Sequence, residues 1–204
     1  VGGAEEAADA LWQIMGLQAG GRVIVVNSSG AFGGGKLWPD THFAELARRI
    51  AAELGHDVLV LCGPRERARA VRISRLARHP RVMDPGSAPL SIGLSKAVVR
   101  RSRLMITTDS GPRHFAAAFR VPVIALFGPT AAEWSDTHYA GEHRIRRDVD
   151  CGPCQQPVCP LGHHRCMRDL GVERVYSQVL EALGSQGRAG GGIHGAGRRG
   201  ARPR

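Results

Sequence analysis

The sequence predicts an α/β fold built on a doubly wound parallel sheet of the Rossmann type. Residues 23–26, 58–61 and 123–126 are apolar on both faces, which is typical of strands buried in a parallel sheet. Segments with helical spacing of apolar residues separate these runs. Polar, glycine-containing turns follow several of them, and ligands bind at this end of the strands in such sheets. The alternation therefore predicts consecutive βα units.

The same patterning gives the approximate bounds of each element and one domain boundary. We expect strands at 23–26, 58–61, 82–83, 104–107 and 123–126, and helices at 4–17, 41–54, 67–77, 91–100, 113–119 and 172–183. One α/β domain is expected over residues 1–183. The Gly/Arg-rich composition of residues 184–204 predicts a disordered tail. Because the chain begins at Val1, we expect it to be part of a longer protein.

The distribution of charge argues against nucleic acid as the main partner. The formal net charge is +10, but five arginines and no acidic residue lie in residues 185–204, so half of the excess sits there. The remaining body has little excess charge and few aromatic residues, which is not the pattern of a nucleic-acid-binding face. No apolar run is long enough for a membrane span, and the start does not resemble a signal peptide.

The most informative stretch follows the fourth predicted strand. Asp109, Ser110 and Gly111 form a polar turn that leads directly into an alanine-rich helix. Asp109 or Ser110 is expected to cap this helix, and Gly111 lets the backbone approach a ligand closely. The N–H groups at a helix N-terminus bind anions, so a phosphate is the expected guest. A capped βα turn without a ligand is the alternative interpretation.

A glycine-rich loop (residues 30–36) follows the first strand and matches the GxxxxGK spacing of a P-loop. Leu37 stands where that motif needs a hydroxyl, and Pro39 prevents a helix from starting at Lys36, so the P-loop interpretation fails. The GxGxxG pattern is also absent. What remains, Ser28, Ser29 and Lys36 beside flexible backbone, suits a diphosphate. A surface loop without a ligand is the other interpretation.

Two further polar residues are candidates at the same rim. Glu66 follows the second strand, where an acidic side chain often meets ribose hydroxyls; a solvated glutamate at a helix start is equally consistent. His114 lies one turn into the helix after Asp109. We expect it to contact a ligand, whereas an isolated histidine at such a position is more commonly structural.

A Cys-rich segment (residues 151–166) carries four of the five cysteines. Cys151, Cys154, Cys159 and Cys166 lie within sixteen residues, with His163 and His164 between the last two. Four thiols at this spacing suit a tetrahedral zinc site and, as a second option, an iron–sulfur cluster. A reduced thiol cluster, or disulfides in an oxidising compartment, is the alternative. Cys62 is expected to be an ordinary buried thiol.

Three segments in this order resemble glycosyltransferase family 9, the ADP-heptose:lipopolysaccharide heptosyltransferases, and the heptosyltransferase II branch in particular. They are Asn27-Ser-Ser-Gly-Ala-Phe-Gly-Gly-Gly-Lys36-Leu-Trp-Pro39, Asp109-Ser-Gly-Pro-Arg-His114-Phe-Ala-Ala-Ala118 and Ala125-Leu-Phe-Gly-Pro-Thr130. The Cys-rich segment is similar to the ending of some members. The resemblance extends over roughly residues 4–183.

This resemblance implies the C-terminal, donor-binding half of a GT-B glycosyltransferase. Ser28, Ser29 and Lys36 would hold the donor diphosphate and Glu66 the ribose, while Asp109, Ser110, Gly111 and His114 would line the diphosphate and sugar. The partners would be ADP-heptose or a similar nucleotide sugar, the lipopolysaccharide core acceptor, and a separate N-terminal domain that supplies the catalytic base. No catalytic residue is then expected in this chain, which would be inactive alone.

The resemblance also bears on cofactors and location. GT-B enzymes stabilise the departing nucleotide with backbone dipoles and cations, so no cofactor is expected for catalysis, and zinc would be structural only. A cytoplasmic protein at the inner face of the plasma membrane, with peripheral association, is implied. Two alternatives stay open: a family 9 enzyme with another nucleotide-sugar donor, and a noncatalytic nucleotide- or nucleic-acid-binding module that uses the basic tail and the cysteines.

Overall fold

Six parallel strands form one sheet in the order β3-β2-β1-β4-β5-β6. The computed structural model describes residues 2–17, 22–30 and 33–189. Its elements are α1 (Gly2–Ile14), β1 (Val23–Asn27), α2 (Asp40–Leu54), β2 (Asp57–Leu61), α3 (Arg67–Ala77), β3 (Val82–Met83), α4 (Ile92–Arg101), β4 (Leu104–Thr108), α5 (Gly111–Ala118), β5 (Val123–Phe127), β6 (Glu142–Arg146), α6 (Arg165–Arg168) and α7 (Val172–Ala189).

Helices cover both faces of the sheet, which explains why its central strands are apolar throughout. Alternate residues of a strand point to opposite faces, so Ile24 and Val26 pack with α2, α3 and α7 on one face. Val23 and Val25 pack with α1, α4 and α5 on the other. The predicted doubly wound α/β fold is confirmed.

The strand order reverses between β1 and β4. Val26 of β1 pairs with Val60 of β2 on one side and with Ile106 of β4 on the other. β2 and β4 therefore flank β1, and the connections from β1 and β4 leave in opposite directions. In open α/β sheets the crevice at such a switch point, beyond the carboxyl ends of the strands, is where ligands bind. The turns after β1, β2 and β4 meet there.

Several elements differ from the sequence prediction, and one of them is α6, for which no helix was predicted. β6 was not predicted, because four of its five residues are polar and only Ile145 is buried; as an edge strand it needs no apolar run. The helix expected from residue 113 begins at Gly111, with Pro112 in its first turn. The last helix runs to Ala189 rather than Leu183, so the first part of the expected tail is helical, and residues 190–204 lie outside the described residues.

None of the helices in the described part of the chain is both long enough and apolar enough to cross a membrane.

Candidate functional site

A cleft of about 320 Å³ opens at the switch point, beyond the carboxyl ends of β1, β2 and β4. Its polar wall comes from the turns after these strands, and its apolar wall comes from Leu90, Ile92 and Phe115. A pocket with apolar walls and a few convergent polar groups is the usual form of a small-molecule site. The lining residues are Asn27, Ser29, Cys62, Gly63, Pro64, Glu66, Leu90, Ser91, Ile92, Ser95, Ser110, Gly111, Pro112 and Phe115.

Asn27 joins the turns after β1 and β4 at the floor of this cleft. Its Nδ2 donates hydrogen bonds to Thr107 Oγ1, at 3.0 Å, and to Ser110 Oγ, at 3.1 Å. Ser110 occupies the N-cap position of α5, but its side chain does not cap the helix. The expected side-chain cap is therefore not formed, because the Ser110 hydroxyl bonds to Asn27 and Thr107 instead. The N-terminus of α5 faces the cleft with its positive dipole end.

Glu66 fixes the turns after β1 and β2 relative to each other. Its Oε1 accepts a hydrogen bond from Gly30 N at 2.9 Å, and its Oε2 accepts one from Gly63 N at 3.3 Å. Burial would raise the pKa of Glu66, but hydrogen bonds from Ser29 and from these two amides outweigh it and hold the pKa below its ordinary value. Glu66 is thus an ionised group in the cleft wall, and a carboxylate has lone pairs beyond these contacts.

Lys36 of the glycine-rich loop is bound to the turn after β4. Its Nζ lies 2.6 Å from Asp109 Oδ2 and 3.1 Å from the Asp109 carbonyl oxygen. The two side chains are only 12% and 9% exposed. The structure therefore brings together two predicted site residues that are 73 positions apart in the chain.

Asp109 is the centre of a larger polar cluster. Thr130 Oγ1 donates to its Oδ2 at 2.8 Å, and Ser135 Oγ donates to its Oδ1 at 3.1 Å. Burial would raise the pKa of Asp109, but the hydrogen bonds of Lys36 and Thr130 and the charges of Lys36 and Arg113 keep it below its ordinary value. Asp109 is therefore an ionised, fully engaged carboxylate that joins the loops after β1, β4 and β5.

Arg113 is a site residue that the sequence prediction missed. Its side chain is fully buried, with Nη1 2.6 Å from Glu142 Oε1 and Nη2 3.3 Å from Asp109 Oδ1. The guanidinium also bonds to the Ser135 carbonyl and lies 5.0 Å from the centre of the Phe127 ring. The Asp109–Arg113 spacing of four residues across a helix start was the available indication. Its second partner, Glu142, lies on the strand that was not predicted.

Four predicted residues do not line the cleft: Lys36 and Asp109, which pair with each other, and Ser28 and His114. The Ser28 side chain is fully buried, and its Oγ has no hydrogen-bond partner in the described part of the chain. His114 is exposed and lines a separate depression beside Asp136 and His138. By contrast, Ser29, Glu66, Ser110 and Gly111 line the cleft itself.

The Cys-rich segment surrounds a small cavity of about 20 Å³. Backbone N–H groups of residues 161–164, most strongly that of His164, lower the pKa of the Cys159 thiol. Burial, followed by the charges of Cys154, Cys151 and Cys159, raises the pKa of Cys166. Cys62 is buried apart from this group, as expected, and burial raises its pKa to about 11.

The Cys-rich segment also packs directly on the glycine-rich loop. Gly35 N donates to the Pro157 carbonyl at 2.7 Å, and the Gly35 carbonyl is 3.1 Å from His164 Nε2. A Cβ atom on Gly35 would lie 2.7 Å from the Gln156 carbonyl oxygen, which explains why this position is a glycine. Lys36 is therefore held from two sides: Asp109 holds its side chain, and the Cys-rich segment holds the backbone next to it.

Comparison with known proteins identifies the family. Residues 4–164 match the model of glycosyltransferase family 9 (heptosyltransferase). Lipooligosaccharide heptosyltransferase 2 of Campylobacter jejuni is 30% identical over 170 residues, which are 82% of this chain and 53% of that protein. Lipopolysaccharide heptosyltransferase 1 of Pseudomonas aeruginosa is 31% identical over 143 residues, or 68% of this chain and 39% of that protein. The chain thus spans about half the length of the first of these curated relatives, and less of the second.

Solved structures show the same fold. E. coli ADP-heptose LPS heptosyltransferase II superposes with a TM-score of 0.75 at 20% identity, covering 90% of this chain and 53% of that one. The family 9 glycosyltransferase of Veillonella parvula gives a TM-score of 0.74 at 22% identity, covering 89% and 52%. The resemblance inferred from the motifs is confirmed: the chain belongs to glycosyltransferase family 9, the heptosyltransferases.

Proposed function

We propose that this chain is the donor-binding half of an inverting glycosyltransferase that transfers heptose from ADP-heptose to the lipopolysaccharide inner core. Membership of the heptosyltransferase family supports the reaction class. The observation that carries the proposal is the cleft at the switch point, where the N-terminus of α5 meets the turns after β1 and β2. This is the general position of nucleotide sites in doubly wound sheets.

Different residues of the cleft contact the base, the ribose and the diphosphate of a nucleoside diphosphate. Leu90, Ile92 and Phe115 offer an apolar surface to the base, and Glu66 accepts hydrogen bonds from the ribose. Gly111, at the start of α5, allows the diphosphate to approach the helix N-terminus. Ser29 and Ser110 are the hydroxyl donors nearest to that position.

Lys36 acts on the leaving group. Transfer with inversion places extra negative charge on the departing diphosphate, and fixed dipoles and cations that are already aimed at that charge lower the barrier. Lys36 is held at the β4 turn by Asp109, so it is in place before the donor binds. Arg113 supplies a second positive charge to the same cluster.

The acceptor hydroxyl needs a general base. Asp109 is engaged by Lys36, Thr130, Ser135 and Arg113, which makes it unsuitable for that role. We therefore assign the base and the acceptor site to a further, N-terminal domain, and we expect this chain alone to bind donor without transferring sugar. The lipid-linked acceptor places the enzyme in the cytoplasm, at the inner face of the plasma membrane.

Calorimetric titration of ADP tests this function, with UDP and GDP as competing nucleotides. We expect selective binding of ADP and a loss of about 10- to 100-fold in Lys36→Met, the worth of one charge-assisted hydrogen bond. Arg174→Met, which removes an exposed cation on α7 that does not line the cleft, is the matched control. Preference for UDP would assign another nucleotide-sugar donor. Absence of binding to all three nucleotides would contradict the proposal.

A further inference from the structure

The four clustered cysteines enclose a cavity that the donor site does not use. Its volume, about 20 Å³, is close to that of a single water-sized probe, which suits one ion. The cysteine and histidine side chains that line it are Cys151, Cys154, Cys159, His163, His164 and Cys166. Cys62, the remaining cysteine, lines the donor cleft instead.

The backbone around Cys159 is arranged as it would be for a thiolate ligand. His164 N donates a hydrogen bond to Cys159 Sγ at 3.4 Å, and Gly162 folds back with its N–H 3.2 Å from the Cys159 carbonyl. The His164 N–H, which points at the sulfur, stabilises its negative charge, and the thiolate is the form that binds metals. Cys151 Sγ also lies 3.8 Å from His163 Nε2.

The cysteines are grouped but not closed into a coordination shell. In residues 2–17, 22–30 and 33–189, no set of three or more His, Cys, Asp or Glu side chains is already arranged to hold an ion. The donor chemistry nevertheless fits a tetrahedral four-sulfur site, which selects zinc or a single iron. An ion would draw the four sulfurs inward, to about 2.3 Å for zinc.

We propose that Cys151, Cys154, Cys159 and Cys166 bind one thiolate-coordinated metal ion, zinc in the first instance, and that this ion stabilises the support of the glycine-rich loop. Two contacts link the cysteine cluster to the glycine-rich loop: Pro157 and His164, both within the Cys-rich segment, hold the backbone of Gly35. The segment also bonds to the loop after β5 through Gln155 N and the Pro129 carbonyl, at 2.8 Å.

Metal analysis of the chain purified under reducing conditions tests whether the four cysteines bind a metal ion. We expect about one equivalent of zinc per chain, and loss of the metal in the double variant Cys151→Ser/Cys159→Ser. Cys62→Ala, which removes a cysteine outside the cluster, should retain it. Cobalt(II) added to the metal-free chain should give the thiolate charge-transfer absorption of a four-sulfur site. About one equivalent of iron per chain, in place of zinc, would support the same four-cysteine site with iron as its metal.

A reduced chain with added zinc that holds no metal and still shows five reactive thiols on unfolding would overturn the site. So would isolation of the reduced-buffer protein with stable disulfides among the four cysteines. Neither result depends on ADP, so the failure of this inference can be distinguished from failure of the donor function.

Hydrogen exchange in the same samples tests whether the bound ion stabilises the support of the glycine-rich loop. Removal of the metal with a chelator should accelerate exchange of the Gly35 amide, which donates to Pro157, while amides of β1 should be unchanged. The expected weakening of ADP binding on metal removal rests on the proposed function and is measured separately. Unchanged exchange at Gly35 after the metal has left would overturn the supporting role.

Discussion

Lys36 Nζ and Asp109 Oδ2 are 2.6 Å apart, which ties the glycine-rich loop after β1 to the turn after β4 across the switch point of the sheet. Both groups are nearly buried, and Asp109 is further held by Thr130, Ser135 and Arg113. A fixed pair of this kind keeps the lysine in one position next to Asp109, which directly precedes the N-cap of α5. It also makes the stability of the chain sensitive to the charge of Asp109.

Asp109→Asn should lower the free energy of unfolding at neutral pH by about 2–4 kcal/mol, because a partly buried lysine loses its charged partner. The pKa of Asp109 is depressed in the folded state, so its contribution is complete above the unfolded pKa and is lost as the pH falls through the folded value. The difference from wild type should therefore shrink below about pH 4. Urea denaturation at pH 7 and pH 3.5 measures both effects.

Asp148→Asn is the control for this experiment, because the Asp148 side chain is 84% exposed and pairs only at the surface with Arg146. It should change stability by less than about 0.5 kcal/mol at either pH. An Asp109→Asn deficit of equal size at both pH values would contradict the assignment of an ionised Asp109.

Arg113→Lys should be destabilising even though it keeps the charge. The buried guanidinium reaches Glu142, Asp109 and the Ser135 carbonyl at once, and a lysine ammonium does not reproduce this fork. We expect a loss of about 2–4 kcal/mol in the free energy of unfolding. Arg147→Lys, at an exposed position, should be neutral in the same urea series. Equal stabilities of the two variants would show that the buried network contributes little.

Gly34 and Gly35 provide a matched pair that tests the contact between the glycine-rich loop and the Cys-rich segment. A Cβ on Gly35 would lie 2.7 Å from the Gln156 carbonyl oxygen, whereas a Cβ on Gly34 would meet nothing within 4 Å. Gly35→Ala should therefore displace the loop and weaken ADP binding by about tenfold or more, the effect of about 1.4 kcal/mol. Gly34→Ala should bind ADP as wild type does. Calorimetric titration of both variants decides the matter.

The sequence predicted the fold well where burial imposes a simple pattern. The runs 23–26, 58–61 and 123–126 are apolar because helices cover both faces of the sheet, and the structure confirms each as a strand. The edge strand Glu142–Arg146 carries no such pattern, since it pairs with β5 on one side and, among the residues that the structure describes, with no strand on the other. Its polar residues do not form the apolar run that predicts a buried strand, so no strand was predicted there.

Part of the site could also be predicted, because the topology of the sheet determines which turns meet. Turns that end strands converge by topology, so the placing of Ser29, Glu66, Ser110 and Gly111 in one cleft could be anticipated. Which side chains turn inward depends on packing that a sequence does not show. Ser28 is buried beneath the loop, His114 faces another depression, and Arg113 is buried between Asp109 and Glu142.

If the switch-point cleft is the nucleotide site, a side chain that fills the cleft must prevent ADP from binding, and calorimetric titration measures this. Ser95 lines the cleft, whereas Ser177 is exposed on α7 and does not. Ser95→Trp should abolish ADP binding while its thermal unfolding stays cooperative, and Ser177→Trp should bind ADP with wild-type affinity. Wild-type binding by a folded Ser95→Trp variant would contradict the claim and place the nucleotide elsewhere.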